Sequence, residues 1–307
     1  MVSERLRDFP VPELQRRLDR GLRLREGPFV VEFKGADRFF AETLNRHYPN
    51  YRLAEPGSFA DARLSVGLNP TPTRRRWNTR VIRGETGEIA THCPKGALLA
   101  HLEWTLNWAI AHRAHQYLML HAGVLADARG ALILPAHPGS GKSTLCAYLM
   151  HHGWRLLSDE FTLIRDDDLA VHPFPRLVPL KNQSIDVIRS LVPAARLGPL
   201  IPGTHKGTIS HLCPDDTHLD AMETTAPPRL MIFPKYRAGA ELTIAPVDKP
   251  ETFVEISQNS FNYVLLGEIG FRRAVALTNR ITAYRLTYSD LPTAAHAIDD
   301  LMSAASG

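Results

Sequence analysis

The stretch ALILPAHPGSGKSTL, residues 131–145, has the pattern of a buried strand, a glycine-rich turn and the start of a helix. Glycine lets a backbone wrap around an anion without a clashing Cβ atom, and a helix N-terminus presents partial positive charge. In such loops the lysine reaches the β- and γ-phosphates of a nucleotide, and the next hydroxyl ligates Mg²⁺. Lys142 and Ser143 hold these two positions, so the sequence predicts a site for ATP and Mg²⁺.

The predicted loop departs at one position from the pattern G-x-x-x-x-G-K-[ST]. Ala136 stands at the first glycine, and alanine is small but favours a negative φ. The alternative is a glycine turn that only caps a helix, which does not explain a lysine and a hydroxyl together. The loop residues predicted to bind the nucleotide are Pro138, Gly139, Ser140, Gly141, Lys142, Ser143 and Thr144.

Two acidic residues, Asp159 and Glu160, close the next apolar run, which begins at Trp154. In an α/β core the end of such a strand lies beside the phosphate loop, where ligands collect. Phosphoryl transfer to a hydroxyl needs a base and a metal that offsets charge, and carboxylates serve both purposes. The residues leave open which acid binds the metal and which acts as the base. A purely structural role, in which the pair caps a helix or lies in an exposed turn, is an equal alternative.

A single histidine, His121, interrupts the apolar run LMLHAGV at residues 118–124. A histidine in such a place is most often a hydrogen-bonded core residue. The functional alternative is that His121 orients Asp159 and tunes its basicity.

The periodicity of the remaining segments predicts an α/β core preceded by a smaller α+β module, with the boundary near residue 115. The module, residues 1–115, ends in a helix over 96–116, and the nucleotide-binding domain covers 116–307. In the module we predict helices over Val11–Leu24 and Phe39–His47, strands over 29–33 and 64–68, and a hairpin over 79–92 turning at 85–87. In the domain we predict strands over 118–127 and 131–135, a helix over 142–152, and a last strand and helix over 284–301.

Composition excludes several classes of protein. Of the 307 residues, 44% are hydrophobic and 22% charged, and the net charge of +4 is too small and too evenly spread to indicate nucleic-acid binding. No run approaches the roughly 20 apolar residues of a membrane span, and the N-terminus lacks a signal-peptide pattern. Three separate cysteines suggest neither a zinc site nor disulfides, so we expect a reduced, cytoplasmic enzyme. The run Arg74–Arg76 is either a solvated loop or a docking patch for an acidic partner.

The order of His121, the glycine loop and the acidic pair resembles the HPr kinase/phosphorylase family. The resemblance implies a P-loop kinase core of the HPr kinase and phosphoenolpyruvate carboxykinase type, which phosphorylates a serine of a peptide or small protein. It further implies that Asp159 is the base, that Glu160 holds Mg²⁺ with Ser143, and that His121 supports Asp159. Because that family forms rings, the resemblance also allows a homo-oligomer.

The segments 173–189, 203–212 and 259–263 are similar to the branch called HPr kinase-related kinase A. The glycine-rich segment that serves phosphorolysis in the parent family is absent, so we do not expect the reverse reaction. Arg176, Lys181 and Lys206 are candidate phosphate contacts, with surface charge as the alternative. Asn259, Phe261 and Tyr263 have the pattern of packing and capping residues.

Two other functions remain open at this point: a small-molecule kinase, and a nucleotide-gated protein that binds a peptide without transferring phosphate. Carboxykinases need a longer chain and a further set of metal ligands, so that form of small-molecule kinase is weakly supported. The acidic pair argues against the peptide-binding protein.

Overall fold

A computed structural model describes residues 4–69, 78–85, 90–137, 139–165 and 168–306. These residues form a mixed α/β structure with three sheets. The predicted loop residue Pro138, the arginine run at 74–76 and the hairpin turn at 86–87 lie outside the described residues.

The N-terminal part contains a five-stranded sheet whose strands follow one another in chain order. Its strands are β1 (Leu22–Glu26), β2 (Phe29–Lys34), β3 (Ala62–Leu68), β4 (Thr79–Gly84) and β5 (Ala90–Pro94). Its helices are α1 (Val11–Arg20), α2 (Arg38–His47) and α3 (Leu98–Ala111). Strands β4 and β5 pair antiparallel, which confirms the predicted hairpin.

The first helix ends earlier than the sequence predicted. It stops at Arg20, because Gly21 with φ 101° turns the chain, and Leu22 and Leu24 then lie buried on one face of β1. Alternating leucine and arginine follow the two-residue repeat of a strand, which here prevails over the helical pattern. The prediction that this helix reaches Leu24 is therefore wrong.

The C-terminal part contains an eight-stranded sheet ordered β10-β9-β6-β7-β14-β16-β15, with β8 also paired to β6. The strands are β6 (Leu118–Asp127), β7 (Gly130–Pro135), β8 (Arg155–Ser158), β9 (Phe161–Ile164), β10 (Val171–His172), β14 (Pro228–Tyr236), β15 (Thr243–Val247) and β16 (Thr282–Tyr288). A three-stranded antiparallel sheet is formed by β11 (Val178–Lys181), β13 (Gly207–Leu212) and β12 (Ile201–Thr204).

Seven helices accompany these sheets in the described residues. They are α4 (Lys142–Leu149), α5 (Gln183–Leu191), α6 (Asp216–Asp220), α7 (Lys249–Gln258), α8 (Tyr263–Leu266), α9 (Glu268–Arg280) and α10 (Leu291–Ser306). One face of the eight-stranded sheet packs against α4 and α10, and α5 packs against α4 and β11; residues of α7 and α9 belong to the hydrophobic cluster on the other face. The predicted strand and closing helix are confirmed by β16 and α10.

Strand β6 lies between β7 and the pair β8 and β9, and it is antiparallel to all three. Strands β7 and β8 therefore run in the same direction, joined by α4, with β6 between them. The register pairs Ser158 with Val124 and Phe161 with His121, so Asp159 and Glu160 lie opposite the middle of β6.

Helix α4 lies directly on β6 at Gly123. A Cβ atom at this position would lie 2.5 Å from Cys146 Sγ and 3.5 Å from Lys142 Cγ. The missing side chain thus lets the helix that carries Lys142 approach the sheet. None of the helices in the described part of the chain is long and apolar enough to cross a membrane.

We expect Gly123→Ala to lower the free energy of unfolding by about 1–3 kcal/mol, because the new methyl group overpacks the helix–sheet contact. Urea unfolding measures the change. Gly96→Ala is the control, since a Cβ atom there meets nothing within 4 Å. In a Cys146→Ala background the penalty at residue 123 should shrink; an unchanged penalty would contradict the proposed clash.

Candidate functional site

The glycine-rich turn between β7 and α4 has the backbone that the sequence predicted. Gly139 and Gly141 have φ of 87° and 89°, values that favour glycine. A Cβ atom at Gly141 would lie 2.6 Å from Tyr288 Oη, and the Ser140 carbonyl accepts a hydrogen bond of 2.9 Å from the Tyr236 amide. Ser140 Oγ is buried without a hydrogen-bond partner among the described residues. The turn is thus held by β14 and β16.

The Lys142 ammonium lies inside the protein, where only 9% of its side chain is exposed. It donates to the backbone carbonyl of Asp159 and lies 3.6 Å from Asp159 Oδ1. Burial acts to lower the pKa of Lys142, but the charges of Asp159 and Glu160 outweigh burial and raise it. The lysine is therefore positively charged at neutral pH.

Asp159 is the centre of the site and is only 2% exposed. Its Oδ2 atom accepts a hydrogen bond of 2.7 Å from Ser143 Oγ. Its Oδ1 atom has no hydrogen-bond partner in the described residues. Burial raises the pKa of Asp159, although the charge of Lys142 opposes this shift. The structure thus brings Lys142, Ser143 and Asp159 together at the N-terminus of α4.

The second acid, Glu160, lies beside the histidine of β6. His121 Nδ1 is 3.5 Å from Glu160 Oε2. The histidine thus lies beside Glu160 and not, as predicted from the sequence, beside Asp159. Burial, followed by the charge of Lys142, lowers the pKa of His121, which favours the neutral imidazole. Burial acts to raise the pKa of Glu160, but the neighbouring positive charges, with Lys142 the strongest, lower it overall. In this arrangement the histidine contacts Glu160 and leaves Asp159 to Lys142 and Ser143.

The segment 259–263 packs and caps at this point. The Asn259 carbonyl accepts a hydrogen bond of 2.6 Å from the His121 amide, and the Phe261 ring lies edge-on to the imidazole at 5.4 Å between centroids. Asn259 is also the C-cap of α7. The segment therefore fixes the histidine from outside β6.

Two of the three predicted cationic contacts are lysines near the acidic pair. Lys181 ends β11 and is half-buried, and Lys206 stands exposed at the tip of the β12–β13 hairpin. Burial lowers the pKa of Lys181, and the charge of Lys206 lowers it further. Both lysines are among the positive charges that lower the pKa of Glu160.

Arg176, the third predicted contact, also lines the pocket that contains Asp159 and Glu160, and its guanidinium is held in a buried cluster between the two parts of the chain. Its guanidinium donates to Glu103 Oε2 at 2.5 Å and to Asn107 Oδ1 at 2.6 Å, and it lies 3.5 Å from Glu26 Oε2. Two carboxylates thus surround one guanidinium. That Arg176 binds phosphate stays a prediction, and its guanidinium already has these internal partners.

Three residues of α3 at the site were not predicted from the sequence: Glu103, Trp104 and Asn107. They line a narrow pocket together with Asp159, Glu160 and Arg176. Asn107 lies four residues after Glu103 and three after Trp104, so the three side chains project from one side of the helix. Glu103 is the only Asp, Glu, Lys or Arg in this largely apolar helix, and this was the feature of the sequence that could have indicated a functional role.

The donor atoms at the site suit a magnesium-bound triphosphate. Ser143 and the two acids offer hydroxyl and carboxylate oxygens, and Mg²⁺ usually binds one or two carboxylates together with substrate phosphates. Within the described ranges no group of three or more His, Cys, Asp or Glu side chains could hold a metal ion. Asp159 Oδ1 and Ser140 Oγ make no hydrogen bond among the described residues, and they are polar atoms that such a ligand would engage.

No model of a known protein family matches this chain, and a search of curated proteins finds no match.

Replacing Lys142 by Met should destabilise the protein by about 3–5 kcal/mol at pH 7.5, because the buried Asp159 carboxylate loses its counter-charge. The pKa of Asp159, already raised by burial, then rises further. When the pKa of a carboxyl is higher in the native state than in the unfolded chain, the free energy of unfolding falls as the pH rises between the two values. The loss of stability caused by Lys142→Met should therefore be smaller at pH 5 than at pH 7.5. Urea unfolding at both pH values measures it. The exposed Lys206→Met should change stability little, and equal penalties at both pH values for Lys142→Met would contradict the pairing.

Glu26→Gln tests the buried cluster around Arg176. Burial raises the pKa of Glu26 from 4.5 to about 7, and neither carboxylate oxygen has a hydrogen-bond partner among the described residues. The native state therefore holds a proton that the unfolded chain releases, and stability should fall by about 3 kcal/mol as the pH rises from 4.5 to 7. Urea unfolding across this range should show that Glu26→Gln removes this part of the pH dependence. Parallel curves for the two proteins would contradict the assignment.

Proposed function

We propose that the chain is a Mg-ATP-dependent serine kinase with a P-loop core of the HPr kinase and phosphoenolpyruvate carboxykinase type. The observation that carries the proposal is the convergence of Lys142, Ser143 and Asp159 at the N-terminus of α4. Phosphoryl transfer needs a cation at the moving group, a metal-binding hydroxyl and a base, and these three side chains supply one of each. The resemblance of the surrounding motifs to HPr kinases gives the same roles.

In the proposed reaction Asp159 accepts the proton of the acceptor hydroxyl as the hydroxyl oxygen bonds to the γ-phosphorus, and the bond between the γ-phosphorus and the β,γ-bridging oxygen breaks to release ADP. A carboxylate whose pKa is raised by burial is a stronger base than an exposed one. Lys142 offsets the charge that develops on the transferred group. Ser143 and Glu160 would hold Mg²⁺, which when bound neutralises charge on the phosphates. His121, beside Glu160, would orient that carboxylate.

The acceptor is proposed to be a peptide or small protein that presents a serine. The pocket beside the acids has about 20 Å³ of free space, room for roughly one water-sized group. Space of this size admits a hydroxyl that projects from a body remaining outside, which supports a peptide or small-protein acceptor.

We expect Asp159→Asn to reduce phosphoryl transfer by about 10²–10⁴-fold, because the acceptor hydroxyl loses its base. The assay follows labelled phosphate from Mg-ATP into candidate serine peptides, and mass spectrometry locates the added group. Asp186→Asn, an exposed acid in α5, is the matched control and should retain activity. Transfer that persists in Asp159→Asn would exclude the base role.

Glu160→Gln separates the two acids. We expect it to raise the Mg²⁺ concentration needed for half-maximal activity, whereas Asp159→Asn should lower the maximal rate with a smaller effect on the metal requirement. A reversed pattern would exchange the two roles. ATP binding without transfer to any acceptor would favour the nucleotide-gated peptide-binding protein.

A further inference from the structure

One face of α3, in the N-terminal part, reaches the candidate site. Trp104 is half-buried on this face and lines the pocket that also contains Asp159 and Glu160. Its ring lies 4.7 Å from the ring of His205, between centroids, and the Lys206 ammonium lies 5.4 Å from its centroid. Residues of the β12–β13 hairpin thus rest against a tryptophan that belongs to the other part of the chain.

The backbone at the tip of this hairpin is well defined. Thr204 Oγ1 accepts a hydrogen bond of 3.1 Å from the Lys206 amide and donates one of 2.7 Å to the Gly207 carbonyl. Strand β12 also contacts the turn at Lys95–Ala97, just before α3. The long side chain of Lys206 is exposed, so without an external contact it would sample many rotamers.

An ammonium within about 6 Å of a tryptophan ring is attracted to the ring face. The contact therefore restricts the rotamers of Lys206. Trp104 also lines the pocket that contains Asp159 and Glu160, so the restricted ammonium lies on the side of the acidic pair. A fixed positive charge beside a phosphate site strengthens binding of a polyanion, whereas a freely moving one is mostly screened.

We propose that Trp104 is a positioning residue that holds Lys206 toward the phosphates of the nucleotide, so that the N-terminal part of the chain completes the site. The inference rests on the proposed function. It assigns α3 a role in binding a nucleoside triphosphate, through a side chain that touches Lys206 and not the nucleotide itself.

The test is calorimetric titration of the full chain with Mg-ATP, comparing the wild type with four variants. Lys206→Met should weaken binding by about three- to ten-fold, because one charge contact is lost. Trp104→Leu should weaken it by about two- to five-fold, because the aromatic face is lost. Trp104→Phe should bind nearly as the wild type does, since phenylalanine also offers a ring face. The double variant Trp104→Leu with Lys206→Met should bind no more weakly than Lys206→Met alone.

A second readout follows the salt dependence of the Mg-ATP dissociation constant between 50 and 300 mM KCl. Removal of a phosphate contact lowers this dependence, so Lys206→Met and Trp104→Leu should both flatten it. A purely structural effect of Trp104 would weaken binding at every salt concentration and leave the slope unchanged. Lys206 is exposed, so Lys206→Met also tests the proposal if Trp104→Leu does not fold.

Additive losses in the double variant, or equal losses in Trp104→Phe and Trp104→Leu, would overturn the proposal, because Trp104 would then act through another contact. Unchanged affinity in Lys206→Met would overturn it as well. A wild-type chain that does not bind Mg-ATP would refute the proposed function itself, and the inference with it. These results are distinguishable, since the first three occur in a protein that binds the nucleotide.

Discussion

The buried ammonium of Lys142 must be balanced inside the protein, and this requirement determines the geometry around the glycine turn. The backbone carbonyl and the carboxylate of Asp159 both lie beside this ammonium. Ser143, which follows Lys142 in α4, donates a hydrogen bond to the same carboxylate. Leaving either charge of such a pair alone in the interior is strongly unfavourable. The end of β8 and the start of α4 are therefore held together, and a cation, a hydroxyl and a carboxylate share one small volume.

Close packing around β6 makes this charge pairing geometrically feasible. Gly123 has no side chain, so α4 can approach the sheet, and the register of β8 and β9 brings the two acids opposite the middle of β6. His121, two residues before Gly123, then meets the second acid. The two carboxylates consequently have different neighbours: one faces the lysine and the serine, the other faces the histidine. Burial raises the pKa of Asp159, whereas the neighbouring positive charges outweigh burial at Glu160 and lower its pKa.

The two parts of the chain share polar side chains in their interior. Arg176, from the C-terminal part, is bonded to Glu103 and Asn107 of α3 and lies beside Glu26 of β1. A buried guanidinium needs such partners on several sides, and no single element supplies them. The same helix face lines the pocket beside the acids. The division near residue 115 therefore separates the chain in sequence, while in space α3 forms part of the wall of the site.

Local sequence determined the strand, glycine turn and helix over residues 131–137 and 139–145, because a continuous apolar run, glycines with positive φ and helix initiation are each encoded within a few residues. The position of Asp159 at the end of the strand after the glycine turn also led us to expect it beside the loop residues Lys142 and Ser143, and it contacts both. Tertiary structure alone decided that His121 faces Glu160 and that Arg176 lies between Glu26 and Glu103. Strand register and the packing of distant segments settle those contacts, and both depend on the whole core, since no short stretch of sequence specifies which remote residue will be its neighbour.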